Sequence, residues 1–422
     1  NSTQGAVIML ETIEKKRLVT LGVVYFLIIV IPLAVTAFVI ASGMFKLKAI
    51  EKKALDVIDQ KTKGEIQTRT IYTADEVANF LNACKRDLLI ATMIPATNDA
   101  YKKYVAETKK PLWNKEGGEI QQTLTLVYKE MSLIDKNGNE KIKIIDGEAV
   151  PAEKLVNVSN PANTTYKTED YFAKTKFLKS GDVYVSPVTG YAVSRAAFEK
   201  GERFSGVIRF ATPFFSKEGF AGIITLGLDY RHLAKFTDQL VPTQTEKVFE
   251  SDASTGNYAY MIDNRNFLIS HPLDYRIVGL DADGRTVPTV NAQNAAELQR
   301  KGEEALDISQ LGFMDPNLPA IAKEAAKGKS GITIYKFAGL TKLVAYAPIK
   351  FYASNLPPPA GFGWIALGVE IEKYNQALLK VTGDIEKESR EWTAVVILVL
   401  VVFMIIVFFI MLTLMRGGLL KK

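Results

Sequence analysis

The chain has 422 residues, 48% of them hydrophobic and 23% charged, with a net charge of +6. Its basic residues are scattered among acids, a distribution that excludes a concentrated nucleic-acid-binding surface. The single cysteine, Cys84, excludes an intramolecular disulfide and a cysteine-rich zinc site, and two histidines, His232 and His271, leave a histidine metal site or catalytic triad short of members.

Residues 1–17 precede an uncharged apolar run from Leu18 to Phe45. A bilayer core needs about 20 apolar residues in helical form, and a soluble helix of that length would carry a polar stripe, which this run lacks. The run exceeds the roughly 7–15 apolar residues of a signal peptide. Ala41-Ser42-Gly43 is the nearest approach to a cleavage site, and the segment reads as an uncleaved anchor. Lys15, Lys16 and Arg17 lie before it, and basic residues favour the cytoplasmic side. After it, Leu47, Ile50, Ala54 and Val57 follow helical spacing. Thr73-Ala-Asp-Glu76 has the form of a capping box, so a new helix is expected there, running to about Ala91 with Val77, Phe80, Leu81, Cys84 and Leu88 buried. Cys84 on that face reads as an inert thiol, with a redox sensor as the sharper alternative. Pro95 breaks the pattern and a further helical stretch follows near Tyr101. Residues 46–120 are therefore expected to form a stalk and long helices.

From about Gln121 the texture becomes β. Leu124, Leu126 and Tyr128 alternate, and Met131–Ile134 and Ile142–Ile145 flank Asp135-Lys-Asn-Gly-Asn139, a hairpin signal. The Asp-x-Asn-x-Asn spacing also suggests a calcium loop, but Gly138 is misplaced for one. Strands are expected at Val183–Val185, Gly206–Phe210 and Gly222–Leu228, with helical Ala173–Leu178 among them. Pro242–Asn257 reads as a connection. A second β region follows: Tyr258–Ile262, a turn at Asp263–Asn266, Phe267–Ser270, then Gly331–Phe337, Leu343–Pro348 and Gly363–Val369. Ala295–Ala305 and Leu318–Lys327 look helical, Asp281–Gly284 is a turn, and Leu356–Ala360 is a stiff surface loop. The two regions share an order of elements, and Ser132-Leu-Ile-Asp135 parallels Tyr260-Met-Ile-Asp263, which argues for a duplicated α/β module.

Ile371, Tyr374, Leu378, Val381, Ile385 and Trp392 fall on a heptad stripe, interrupted by Glu388. Such a stripe wants a partner helix, either the other stalk, a second copy of the protein, or both, with packing on the protein's own sheet as the alternative; 371–391 is expected to be a stalk that supports a homodimer. Trp392–Met415 is again free of charge and long enough to span, and Arg416, Lys421 and Lys422 in 416–422 follow it. Both ends are thus expected in the cytoplasm, with 46–391 outside the inner (plasma) membrane, although Lys46, Lys48, Lys52 and Lys53 weaken the charge bias.

Several segments resemble the double Cache (dCache) sensor domains of bacterial transmembrane receptors. These are Asp170-Tyr-Phe172 with Gly181–Pro187, Arg209–Phe214 leading into Gly222–Tyr230 and Leu233, Tyr260–Asp263, Ile269–Pro272, Tyr346-Ala-Pro348 and Gly363-Trp-Ile365. The resemblance covers roughly residues 44–392. It implies an α+β fold of two tandem PAS-like/Cache modules on a long N-terminal helix between two transmembrane helices. The membrane-distal module would be 121–243 and the membrane-proximal one 244–370. It further implies a ligand pocket between the distal sheet and its covering loop and helix, involving Tyr166, Glu169, Tyr171, Phe172, Tyr184, Ser186, Arg195 and Arg209. In amino-acid-binding members an Arg precedes an aromatic pair and an Asp comes later. Here Glu169 takes the Arg position, Tyr171 and Phe172 the aromatic pair, and Gly227 the Asp position, so an α-amino acid is disfavoured. Arg195 or Arg209 could hold a carboxylate, and Glu169 with the aromatics a cation or amine.

The expected function is a membrane sensor that binds a small molecule and signals through the second span to a cytoplasmic output domain or partner. The alternative is a ligand-free scaffold that reuses the fold. His232 and His271 read as structural. No cofactor, metal or catalytic residue is expected, and the chain is not expected to be an enzyme.

Overall fold

The computed structural model describes residues 2–116 and 119–419. They divide into two compact units, one of Thr62–Tyr374 and one of the two helical ends, up to Lys61 and from Asn375.

In the helical ends, α1 (Ser2–Tyr25) passes through a π-helical turn, Phe26–Val30, into α2 (Ile31–Ala91). Pro32 accounts for the turn. It donates no hydrogen bond and its ring would strike the carbonyl four residues back, and widening the helix relieves both. Gly22–Gly43 and Arg390–Ile410 are long and apolar enough to cross a membrane. Their Phe26, Leu27, Phe38, Val399, Phe403 and Phe409 side chains face outward. Of the expected spacing after the first span, Val57 is 63% exposed, and the side chains of Leu47, Ile50 and Ala54 lie outside the described residues.

Thr73 starts no helix. It is buried inside α2, and its Oγ1 donates to the Arg69 carbonyl at 2.9 Å. A cap residue must leave helical geometry, and nothing here makes it do so: α2 runs unbroken from Ile31 to Ala91. There the buried face expected for the shorter helix is seen, with Val77, Leu81, Cys84 and Leu88 all at most 1% exposed.

After α3 (Asn98–Glu107) comes a two-stranded antiparallel ribbon of β1 (Lys109–Glu116) and β2 (Glu119–Leu126). β1 falls where a helical stalk was expected. Its lysines and Pro111 carry no alternating pattern, and the strand exists through its pairing with β2.

The first sheet contains β3 (Tyr128–Asp135), β4 (Glu140–Ile145), β5 (Glu148–Ala149), β6 (Tyr184–Val185), β7 (Thr189–Gly190), β8 (Gly206–Ser216) and β9 (Gly219–Asp229), in the order β5-β4-β3-β9-β8-β6, with β7 also on β8. Between these strands lie α4 (Tyr171–Thr175) and α5 (Arg195–Glu199), and α6 (Arg231–Asp238) follows β9. Pro213 is tolerated within β8 because β6 pairs only Phe210 and Ala211, leaving the Pro213 edge without a partner strand.

The second sheet is β10 (Tyr258–Asp263), β11 (Leu268–Ser270), β12 (Gly331–Phe337), β13 (Leu340–Ile349) and β14 (Gly363–Glu370), in the order β11-β10-β14-β13-β12. α7 (Ala295–Lys301) and α8 (Asn317–Ala326) lie between β11 and β12. α9 (Ile371–Leu419) continues directly from β14 and contains the second candidate span. The heptad side chains of Tyr374, Leu378, Val381 and Ile385 lie outside the described residues, as do Lys421 and Lys422.

The sheets repeat one strand order, and the repeat reaches single residues. Asp135 pairs with Gly222 in the first and Asp263 with Gly363 in the second. A Cβ on either glycine would lie 2.0–2.1 Å from the carbonyl oxygen of Ile134 or Ile262. Both aspartates close their hairpins alike. Asp135 Oδ1 accepts from the Asn137 and Asn139 N–H groups, and Asp263 Oδ1 from those of Arg265 and Phe267. That carboxylate geometry makes the 135–139 segment a turn, not a calcium loop.

One core joins α2, α3, one face of the first sheet and the inner face of the second through residues such as Leu81, Leu88, Met131, Leu228, Met261 and Ile365. A second lies under α7 and α8 on the outer face of the second sheet. A third, comprising Ile134, Val158, Tyr171, Phe172, Tyr184, Ala211 and Ile223, fills the other face of the first sheet.

Candidate functional site

Alternation along β3 and β8 sends Glu130 and Arg209 to the same face as Ile134 and Ala211, below the segment that precedes β6. Both residues pair with Gly227 of the intervening β9. Gly227 has no side chain, so the Arg209 guanidinium reaches across: Nη1 donates to Glu130 Oε2 at 3.0 Å and Nε to Glu169 Oε1 at 2.8 Å. The three side chains are at most 7% exposed. The guanidinium stacks 4.6 Å from the Tyr171 ring centroid, and its Nη2 has no protein partner. Burial opposes the Glu130 carboxylate, but Arg209 and then Lys143 override it and hold its pKa below the ordinary value. Burial likewise pushes the Tyr171 hydroxyl up.

Beside this cluster is a cavity of about 380 Å³. One wall is Thr168–Tyr171 and the segment Tyr184–Gly190, and the other is Arg265, Phe267 and parts of Val278–Thr286. The second wall comes from the second sheet's loops, which dock on the first by backbone bonds. Leu280 N donates to the Gly190 carbonyl at 2.8 Å, and Ala192 N to that of Leu280 at 2.9 Å. Thr168 Oγ1 donates to the Gly284 carbonyl and Lys167 Nζ to that of Ala282. Gly284 (φ +81°) packs so tightly that a Cβ would lie 2.5 Å from the Tyr166 carbonyl oxygen. Further round, Asn355 pairs with both backbone groups of Val185.

Of the eight residues expected at a pocket, Glu169, Tyr171, Tyr184 and Ser186 line this cavity. Arg209 lies behind Glu169 and Tyr171. Tyr166 is buried alongside, its N–H 3.4 Å from Glu169 Oε2 and its ring 5.4 Å from that of Tyr191. Phe172 belongs to the core beneath. Arg195 is elsewhere, ion-paired with Glu304 and stacked on Tyr275. Thr168, Asp170, Arg265, Phe267 and Thr286 also line the cavity and were not among the expected residues. Asp170 was visible in the Asp-Tyr-Phe segment, and 263–266 and 281–284 were legible as turns, but no local signal brings them opposite residues a hundred positions earlier.

Asp170 Oδ1 accepts from the Tyr184 hydroxyl at 3.1 Å. Arg265 gives Nε and Nη2 to Asp263 Oδ2 at 2.8 and 2.6 Å and lies 4.8 Å from the Phe267 ring centroid. The two histidines are remote from the cavity. His232 Nε2 is 2.9 Å from the Leu126 carbonyl oxygen, and burial pushes its pKa down to about 4. His271 Nδ1 accepts from Leu273 N at 2.8 Å, and burial holds the ring neutral. Cys84 is buried, which pushes its thiol up to about 12.

No family model matches the chain, and no curated protein does. Among solved structures it is similar to extracellular ligand-binding domains of chemoreceptors and of proteins described as sensor kinases. The extracellular domain of a protein described as histidine kinase vpHK1S-Z8 is 14% identical, with 80% of this chain and 98% of that one covered and a TM-score of 0.41. The ligand-binding domain of the Pseudomonas fluorescens chemoreceptor CtaA, in complex with L-leucine, is 14% identical, with 75% and 98% covered and a TM-score of 0.39. That of the Pseudomonas aeruginosa PAO1 amino acid chemoreceptor PctB, in complex with L-Arg, is 14% identical, with 72% and 92% covered and a TM-score of 0.38.

Proposed function

We propose that this chain is the sensory part of a two-pass membrane receptor of the double Cache type. Residues 121–243 form the membrane-distal module and 244–370 the proximal one. A small molecule binds the cavity beside Glu169, Tyr171, Tyr184 and Ser186, with Arg209 holding Glu169 from behind. Basic residues at 15–17 and 416–422 favour a topology with 46–391 outside the inner membrane. The stalk at 371–391 pairs with that of a second copy.

The observation that carries this reading is the cavity's shared wall. One side belongs to the first sheet's loops and the other to the second's, and the second sheet's β14 leads without a break into α9 and the second candidate span. A ligand that grips both walls favours one arrangement of the sheets, and a difference in affinity between two arrangements is what a signal requires. In this reading Arg195, ion-paired with Glu304, is not part of the ligand site.

The test uses the full chain in membranes with Lys387→Cys introduced in α9. The native Cys84 does not interfere, being buried. A small-molecule library screened by thermal shift should yield a stabilising ligand, and that ligand should change the rate of disulfide cross-linking at position 387. Binding without a change in cross-linking rejects signalling through the stalk. A library with no binder favours the ligand-free scaffold.

A further inference from the structure

The charge balance around the cavity points to a ligand class. Glu130 and Glu169 share one guanidinium, and all three side chains are withdrawn from water. Lys143 adds no spare charge, since it is paired with Glu140 at 2.7 Å. The cluster therefore carries one net negative charge in a poorly solvated place, which is strongly disfavoured without a counter-charge. Glu169 is the member that reaches the cavity. Its Oε1 is taken by Arg209, while Oε2 has only the 3.4 Å contact from Tyr166 N. Asp170 adds a second carboxylate to the same wall, with Lys174 no nearer than 3.9 Å. Arg265, the cation among the described lining residues, is already committed to Asp263. Tyr171, Tyr184 and Phe267 offer aromatic surface, to which cations are attracted.

Building on the sensor reading, we infer that the cavity takes a small organic cation, a primary amine or quaternary ammonium, seated against Glu169 and Asp170. The cation supplies the charge that the buried cluster lacks. A carboxylate ligand would face two acids, while Arg209 lies behind them with Nε and Nη1 engaged and Arg265 gives Nε and Nη2 to Asp263.

The test is calorimetric titration of the full chain in detergent with butylamine, tetramethylammonium, acetate and butanol. At least one of the two cations should bind, and acetate and butanol should not. Glu169→Gln keeps an oxygen for Arg209 but removes the excess charge, and should weaken cation binding at least tenfold. Asp170→Asn keeps an acceptor for Tyr184 and should weaken it several-fold, which preserves the test if the first variant folds poorly. Binding of acetate without either cation overturns the inference and leaves the sensor reading intact. Absence of binding by both cations, or undiminished cation affinity in both variants, also overturns it. The sensor reading falls separately, if the wider library yields no binder.

Discussion

Arg209 shows how much a single side chain's role depends on its neighbours. Taken alone it is a candidate carboxylate clamp. In the fold it is the counter-ion of two glutamates, and its removal would leave two buried carboxylates facing each other. Arg209→Met is therefore expected to cost roughly 3–5 kcal/mol, measured by urea unfolding. A second residue-scale effect concerns pH. Asp274 Oδ2 accepts from Phe204 N at 2.6 Å, and burial, opposed by that bond, raises its pKa from 3.8 to about 6. A folded value above the unfolded one means that the group's contribution is complete below about pH 4 and is lost as pH rises through about 6. His232 acts in the opposite sense: its folded value of about 4 lies below 6.5, so its contribution is present above pH 6.5 and lost as pH falls through about 4. Asp274→Asn removes the first of these contributions, so the variant should gain in thermal midpoint on the wild type as pH rises from about 4 to 6. At pH 7 it should exceed the wild type by roughly 2–3 kcal/mol, at about 1.4 kcal/mol per pKa unit.

At the scale of elements, the paired hairpins carry the duplication. Gly222 and Gly363 sit opposite the aspartates that close β3–β4 and β10–β11, in backbone geometry with φ of +153° and +141°. A side chain there collides with a neighbouring strand's carbonyl oxygen, which that strand cannot move without breaking its ladder. Gly363→Ala is expected to destabilise by about 3 kcal/mol or more. Gly339→Ala, at φ +79° with nothing within 4 Å, should cost only about 1 kcal/mol. Denaturant midpoints of the two variants decide this. The elements also show where local signals mislead. Thr73-Ala-Asp-Glu76 has every residue of a cap, yet the helix was already formed upstream, and the hydroxyl bonds to the preceding turn instead.

For the whole molecule the decisive feature is the turn at 281–284, which fastens the second sheet's loops to the first sheet's cover. Gly284→Ala should lift that turn away from Tyr166. The expected result is at least a tenfold loss of ligand affinity by calorimetry, with thermal unfolding changed much less, because the three apolar cores are untouched. Full affinity in this variant would mean that the second sheet contributes nothing to binding. The same fastening explains the cavity's position: it is not enclosed by the first module and its covering helix alone, but completed from Arg265–Thr286.

Much of the fold was legible in the residues. The two charge-free runs, the hairpin turns at Asp135 and Asp263, most strands and the helices near 295 and 318 follow from hydrophobic period and turn chemistry, which act over a few residues. Of the residues proposed for the pocket, Glu169, Tyr171, Tyr184 and Ser186 line the cavity and lie on one short stretch that covers a sheet. The rest was set by the path of the chain. That Arg209 is spent on Glu130 and Glu169, that Arg195 belongs to Glu304, and that Gly284 closes on Tyr166 depend on pairings between distant segments and on the cost of burying charge. Those energies arise only once the sheets are assembled. The proposed ligand class therefore rests on the charges gathered in the buried cluster, whereas the two long apolar runs and the repeated sheets were already written in local pattern.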